Sequence, residues 1–202
     1  TTGKKSNNPS PAAIQNVNYP KAFAFDNLKA KREVWEQNPV EESFFEALNE
    51  FSYKTSAIVL SESGKNINYS PVSLYFALSL ATSGANGDTA AELLELLGVS
   101  DTRELNHSCG NLYRLLYRDN IIGKLKIANS VWMDNDMNGE PILFKDEFVK
   151  NAAENFYASS HTVDFADKKT GKAMADWVSL NTNGTLAPAI ETSPEQILSI
   201  LN

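Results

Sequence analysis

Apolar positions along this chain fall into short blocks whose period switches between three-to-four and two, which is the pattern of helices interleaved with strands. After Pro39, the residues Phe44, Leu48, Phe51, Thr55 and Ile58 stand at i, i+4, i+7, i+11 and i+14, one apolar stripe on a helix starting near Glu41. Ile67–Tyr69 reads as a buried strand. Ser70 before Pro71 is a helix start, because the Ser oxygen accepts from a free first-turn N–H and Pro at the first helical position wastes no donor. From Val72 to Ala81 no residue is charged, so this helix is expected to be buried all round, with Ser73, Ala77 and Ser79 small enough for close neighbours. Gly84 and Gly87 then break the chain, Thr89 and Glu92 have the spacing of a capping box, and Gly98 closes the helix that follows.

The same reading continues to the last residue. A helix is expected from about Thr102 to Tyr117, with Leu105, Leu112, Leu115 and Leu116 at near-helical spacing. Lys124–Asp134 alternates with period two, Leu125, Ile127, Val131 and Met133 on one face and Ala128, Ser130 and Trp132 on the other, as in a strand covered on both sides. Phe144–Tyr157 is helical, His161–Phe165 a short strand, and Lys169–Thr182 a helix with a stripe of Ala173, Met174, Trp177 and Val178 suited to lying over a sheet. Ile197–Leu201 has the composition of a central strand. Residues 1–38 read as a polar tail, TTGKKSNNPSPAAIQN, followed by a lead-in segment bearing Phe23, Phe25, Leu28 and Trp35. The fold class is α+β.

The order of strand, Ser-Pro, apolar helix, Gly-Ala-x-Gly-x-Thr and second helix resembles the opening half of the serpins, the large metastable protease inhibitors. Further blocks agree in order: Ala128-Asn129-Ser130-Val131-Trp132, then Phe144–Phe156 with its following strand, then Trp177-Val178 before Thr182-x-Gly184. The resemblance runs from Glu41 to Asn202 and implies helices packed around a large mixed or antiparallel main sheet. It also implies an incomplete domain: residues 39–202 as the N-terminal part of a single serpin domain, with the C-terminal part and its reactive loop elsewhere. A buried strand at Ile197–Leu201 needs partners on both sides, and few strands remain to supply them.

Composition narrows the function. With 18 Lys and Arg against 25 Asp and Glu, the net charge of −7 argues against binding a phosphate backbone. No apolar run is long enough to span a membrane. Cys109 is the only cysteine, so an internal disulfide and a cysteine metal site are both excluded, and in its helix it reads as a small packed side chain. The polar start suits a mature secreted chain, and equally one trimmed for expression. Asn68-x-Ser70, Asn106-x-Ser108 and Asn183-x-Thr185 are formal glycosylation sequons, the first of them on the expected buried strand.

Candidate chemistry is sparse. A hydrolase built on Ser73 or Ser70 needs a base, and His107 and His161 are the only histidines, with no Gly-x-Ser-x-Gly elbow to present the nucleophile. Ser73 is expected in the core without a catalytic partner, and His161, alternating with Val163 and Phe165, as a structural histidine. Asp134, Asp136 and Glu140 surround Asn138-Gly139 without the EF-hand pattern and read as a solvated turn. No cofactor or metal is expected. The resemblance gives other residues a role: Ser70, Ser73 and Asn202 match the serpin shutter, where main-sheet strands part to admit a new one, and Trp177 matches the helix crossing the front of that sheet. It implies an extracellular suicide-substrate inhibitor of a serine or cysteine protease, contributing no catalytic residue. A non-inhibitory serpin acting as carrier, chaperone or storage protein, and a surface-attached binding module on the polar tail, are the rival readings.

Overall fold

The computed structural model describes residues 17–61, 64, 66–137 and 139–202, so the tail before Val17 and Asn138 lie outside the described residues. In chain order the elements are α1 (Leu28–Gln37), α2 (Glu42–Ser61), α3 (Pro71–Gly84), α4 (Gly87–Leu97), α5 (Thr102–Leu116), β1 (Arg118–Asp119), β2 (Lys124–Leu125), β3 (Asn129–Asp134), β4 (Asp136–Met137), β5 (Glu140–Pro141), α6 (Asp146–Asn155), β6 (Ala158–Val163), α7 (Lys168–Asn181) and β7 (Leu198–Leu201). The helix starts follow local chemistry. The side chains of Asn27, Ser70, Asp101 and Asp167 each accept from a first-turn N–H of α1, α3, α5 and α7, and Gly98 ends α4 in the left-handed conformation at φ 71°.

Three strands form the main sheet in the order β6-β3-β7, with β3 parallel to β6 and antiparallel to β7. Every residue of β3 is buried, because both sheet faces are covered. Val131, Met133 and Ala158 face a core shared with Phe44, Phe51, Tyr75, Phe76, Leu80, Leu97, Leu105 and Phe156, and Leu198 and Ile200 pack against it. Trp132 and Val163 face the opposite way, onto Phe165 and Met174, with Ala173, Trp177, Ile190 and Leu201 against them. The sheet is therefore sandwiched between the α2–α6 helices and α7, and α3 packs across the former side in contact with α2, α4, α5 and β7.

Several expectations are corrected. Ile67–Tyr69 forms no ladder, since no described strand lies beside it, and Asn68 is exposed rather than buried in a strand. Helix α3 is not buried all round: Tyr75, Phe76, Ser79, Leu80 and Thr82 are buried, but Leu74 is exposed and Val72 and Ser73 are half-buried, because described neighbours cover only one side. Asn86 rather than Thr89 caps α4, its Oδ1 accepting from Gly87 N at 2.9 Å. The strand expected over Lys124–Asp134 breaks at 126–128, where Lys124 and Lys126 both turn to Asp119 at 3.2 Å and β2 pairs with β1 instead. Strand β6 lies three residues before its expected start, as parallel pairing begins at Asn129 opposite Ala158; Phe165 N donates instead to Asp134 Oδ1. Strand β7 pairs with β3 on one side and is half-buried along its length, with no strand among the described residues on its other side.

Candidate functional site

The end of β7 meets β3 at a chain of amides. Beyond the last ladder pair, Ser130 opposite Leu201, the next residues along are Asn129 and Asn202, and their side chains join on the α3 side of the sheet. Asn202 Nδ2 donates to Asn129 Oδ1, and Asn129 Nδ2 donates to the carbonyl of Phe156 at 2.6 Å. Asn129 is only 2% exposed, so its amide has little access to water and depends on these partners. Phe156 closes α6, and Tyr157 after it adopts the left-handed conformation at φ 51° before β6 begins. One network thus ties the end of β7 to β3 and to the α6–β6 junction.

Ser70 is exposed, its Oγ accepting from Ser73 N at 3.3 Å as the cap of α3; Ser73 is half-buried rather than in the core. Both sit at the start of α3, the helix that packs against β7, but the partner of Asn202 is Asn129. Sequence reasoning missed Asn129, although its place beside Ser130 at the head of a doubly buried strand was available as a signal. Trp177 lies where the stripe put it, partly buried against Trp132, Val163, Phe165 and Met174 on the far face of the sheet. Gly171 on α7 admits an unusually close neighbour: an added Cβ would stand 2.1 Å from the carbonyl oxygen of Ile190.

The remaining candidates fall into structural roles. His107 Nε2 lies 3.2 Å from Asn111 Nδ2; His161 Nε2 lies 3.0 Å from Ser159 Oγ, and its ring stacks on Trp132 with centroids 4.3 Å apart. Cys109 is fully buried in α5, and burial pushes its thiol up to about 12 despite a hydrogen bond with Ser79. Burial likewise raises Tyr75, whose hydroxyl donates to Leu97 O at 3.1 Å. Asp136 Oδ2 accepts from Gly139 N at 3.1 Å in the β4–β5 turn, and no group of His, Cys, Asp or Glu among the described residues is arranged to hold a metal ion. No described helix is long and apolar enough to cross a membrane. A cleft of about 780 Å³ between the 142–144 segment and α6 is lined by none of Ser70, Ser73, Trp177, Asn129 or Asn202.

The structure thus combines a mixed sheet, sandwiched between a helical layer and one crossing helix, with a buried polar junction at the end of β7. The serpin family, described as serine protease inhibitors, matches residues 46–202, and the chain belongs to it. Among curated relatives, it is similar to alpha-1-antitrypsin 1-5 of Mus musculus, 24% identical over 172 residues, covering 82% of this chain and 40% of that protein. It is also similar to Serpin-ZX of Arabidopsis thaliana, 27% identical over 62% of this chain and 32% of the relative. Of solved structures, the native state of the thermophilic serpin tengpin matches with a TM-score of 0.66 at 22% identity, over 95% of this chain and 45% of that one. A loop C-sheet serpin polymer matches with a TM-score of 0.70 at 22% identity, over 92% and 44%. The chain thus spans about two-fifths of the length of the first of these relatives. As a member of a family of protease inhibitors, it is not an enzyme.

Proposed function

We propose that this chain forms the N-terminal part of a serpin domain, residues 39–202, that inhibits a serine or cysteine protease as a suicide substrate. In this reading the protease nucleophile attacks a bait loop carried on polypeptide beyond Asn202. An acyl bond forms, the peptide bond breaks, and the loop enters the main sheet before water can release the enzyme. The observation that supports the reading is the amide junction at the end of β7, where Asn202 Nδ2 donates to Asn129 Oδ1 and Asn129 Nδ2 to the Phe156 carbonyl beside a sheet covered on both faces. Backbone groups of a strand that joins a sheet gain hydrogen bonds and packing, which supplies a driving force for insertion.

Ser70, Ser73 and Asn202 act in this proposal as the gate, together with Asn129, because amides and hydroxyls can exchange partners between two sheet arrangements where apolar side chains cannot. Trp177 and α7 form the front cover that yields as the sheet widens. Metastability is part of the proposal and is supported by the family's own range of states: tengpin is known in native and latent forms, and the Arabidopsis serpin in a native stressed conformation.

The test is incubation of the complete protein with a panel of serine and cysteine proteases, followed by denaturing gels. A covalent complex resistant to denaturant is expected with at least one of them. Cleavage of the protein with no complex across the panel would replace the inhibitory reading with a non-inhibitory one.

A further inference from the structure

Residues 17–25 lie outside the region matched to the serpin family, yet they are fastened to the body at several points. Val17 packs against the main core. The Tyr19 ring stacks on Tyr117 and Tyr157, with centroids 6.0 Å and 6.4 Å away and planes within 13°. It thereby extends a pile in which Tyr113 and Tyr157 stand 4.1 Å apart. The Lys126 ammonium sits 5.9 Å from the centre of the Tyr19 ring while bonded to Asp119 at 3.2 Å, and the Arg118 guanidinium lies 6.0 Å from the Phe23 ring.

Tyr157 is the member of this pile that leads into β6. Its left-handed backbone is one that aromatic L-residues avoid, so the conformation persists only where surroundings impose it. Here Tyr113 and Tyr19 stack on the ring and Arg114 Nε donates to its hydroxyl at 2.8 Å. Tyr157 directly follows Phe156, whose carbonyl holds Asn129, which in turn holds Asn202 at the end of β7. A continuous path of contacts runs from the N-terminal strap to the end of β7.

We propose that residues 17–25 are a clamp on the gate, with Tyr19 a positioning residue that fixes Tyr157 and through it the Asn129–Asn202 amide chain. The inference rests on the gate reading given above for Asn202, but not on protease inhibition. Releasing Tyr19 frees the α6–β6 junction to leave its left-handed turn, withdraws the Phe156 carbonyl from Asn129, and loosens β7 from β3.

The test is amide hydrogen exchange on the complete protein and three variants, followed by mass spectrometry of peptides from β3, β7 and, as a distant reference, α4. Tyr19→Ala is expected to speed exchange in β3 and β7 on the order of tenfold, the loss of a well-placed ring stack and its burial, while α4 is unchanged. Tyr19→Phe keeps the ring and is expected to behave as the unaltered chain. Lys126→Met removes the cation while leaving the ring, and a smaller acceleration in the same two strands is expected; it carries the test where Tyr19→Ala does not fold. Acceleration confined to the strap and the β1–β2 hairpin, acceleration extending equally to α4, or a Phe variant as fast as Ala would each overturn the proposal. Because exchange is read without a protease, a chain that inhibits nothing still reports the coupling, and failure here leaves the inhibitory reading to its own test.

Discussion

Gly171→Ala opposes two effects of known size. In an ordinary helix the change is stabilising by about 1 kcal/mol, since Ala loses less backbone freedom on folding. In α7 the new methyl stands 2.1 Å from the Ile190 carbonyl oxygen, where a carbon–oxygen contact needs about 3.3 Å, so one of them must move by about 1.2 Å. Both partners are backbone, so no rotamer change relieves the clash. If the helix and the return segment stay docked, overpacking costs about 1–3 kcal/mol and outweighs the helix gain. If the segment lifts instead, the partial burial of Ile190 against Trp132 and Phe165 is lost, about 1 kcal/mol, which cancels it. Either way the variant is expected to be no more stable than the parent and up to about 2 kcal/mol less so. Limited proteolysis should find faster cleavage between Leu186 and Gln196, alongside an unchanged or lower urea midpoint. A raised midpoint with unaltered proteolysis would show that α7 does not hold this segment through Gly171.

Two further predictions address the gate and the core. Asn129→Ala leaves the Phe156 carbonyl without its donor and should cost about 2 kcal/mol, while a double-mutant cycle with Asn202→Ala should return a coupling of about 1 kcal/mol; additive effects would mean that the two amides do not cooperate. Cys109, with its thiol raised to about 12, should resist a thiol reagent at pH 8 until the protein unfolds. The folded state binds the thiol proton more tightly than the unfolded one, so this contribution to stability is complete below about pH 9 and declines toward pH 12, by at most about 1.4 kcal/mol per pH unit. Replacing Cys109 with Ser should remove that part of the alkaline decline, and an identical pH profile in the Ser variant would refute the assignment.

The sequence by itself determined the local elements and which of their faces are apolar. Ser70-Pro71 and Gly98 act within a few residues of themselves, so the start of α3 and the end of α4 could be placed without a fold. The period-two run through Val131, Trp132 and Met133 foretold burial on both faces, and the Trp177 stripe foretold a helix lying on a sheet. Ordered motif blocks carried the family. Tertiary structure decided what depends on residues far apart in the chain: β3 running parallel to β6 and antiparallel to β7, and the three-residue shift of β6 set by that pairing. The same holds for the join of Asn129 to Asn202, the space at Gly171 occupied by Ile190, and the four-tyrosine pile that seats the N-terminal strap. Period and capping report only how a residue meets its near neighbours in the chain. A side-chain amide, a missing methyl or an aromatic face takes its meaning from a partner dozens of residues away, brought there by collapse of the whole core.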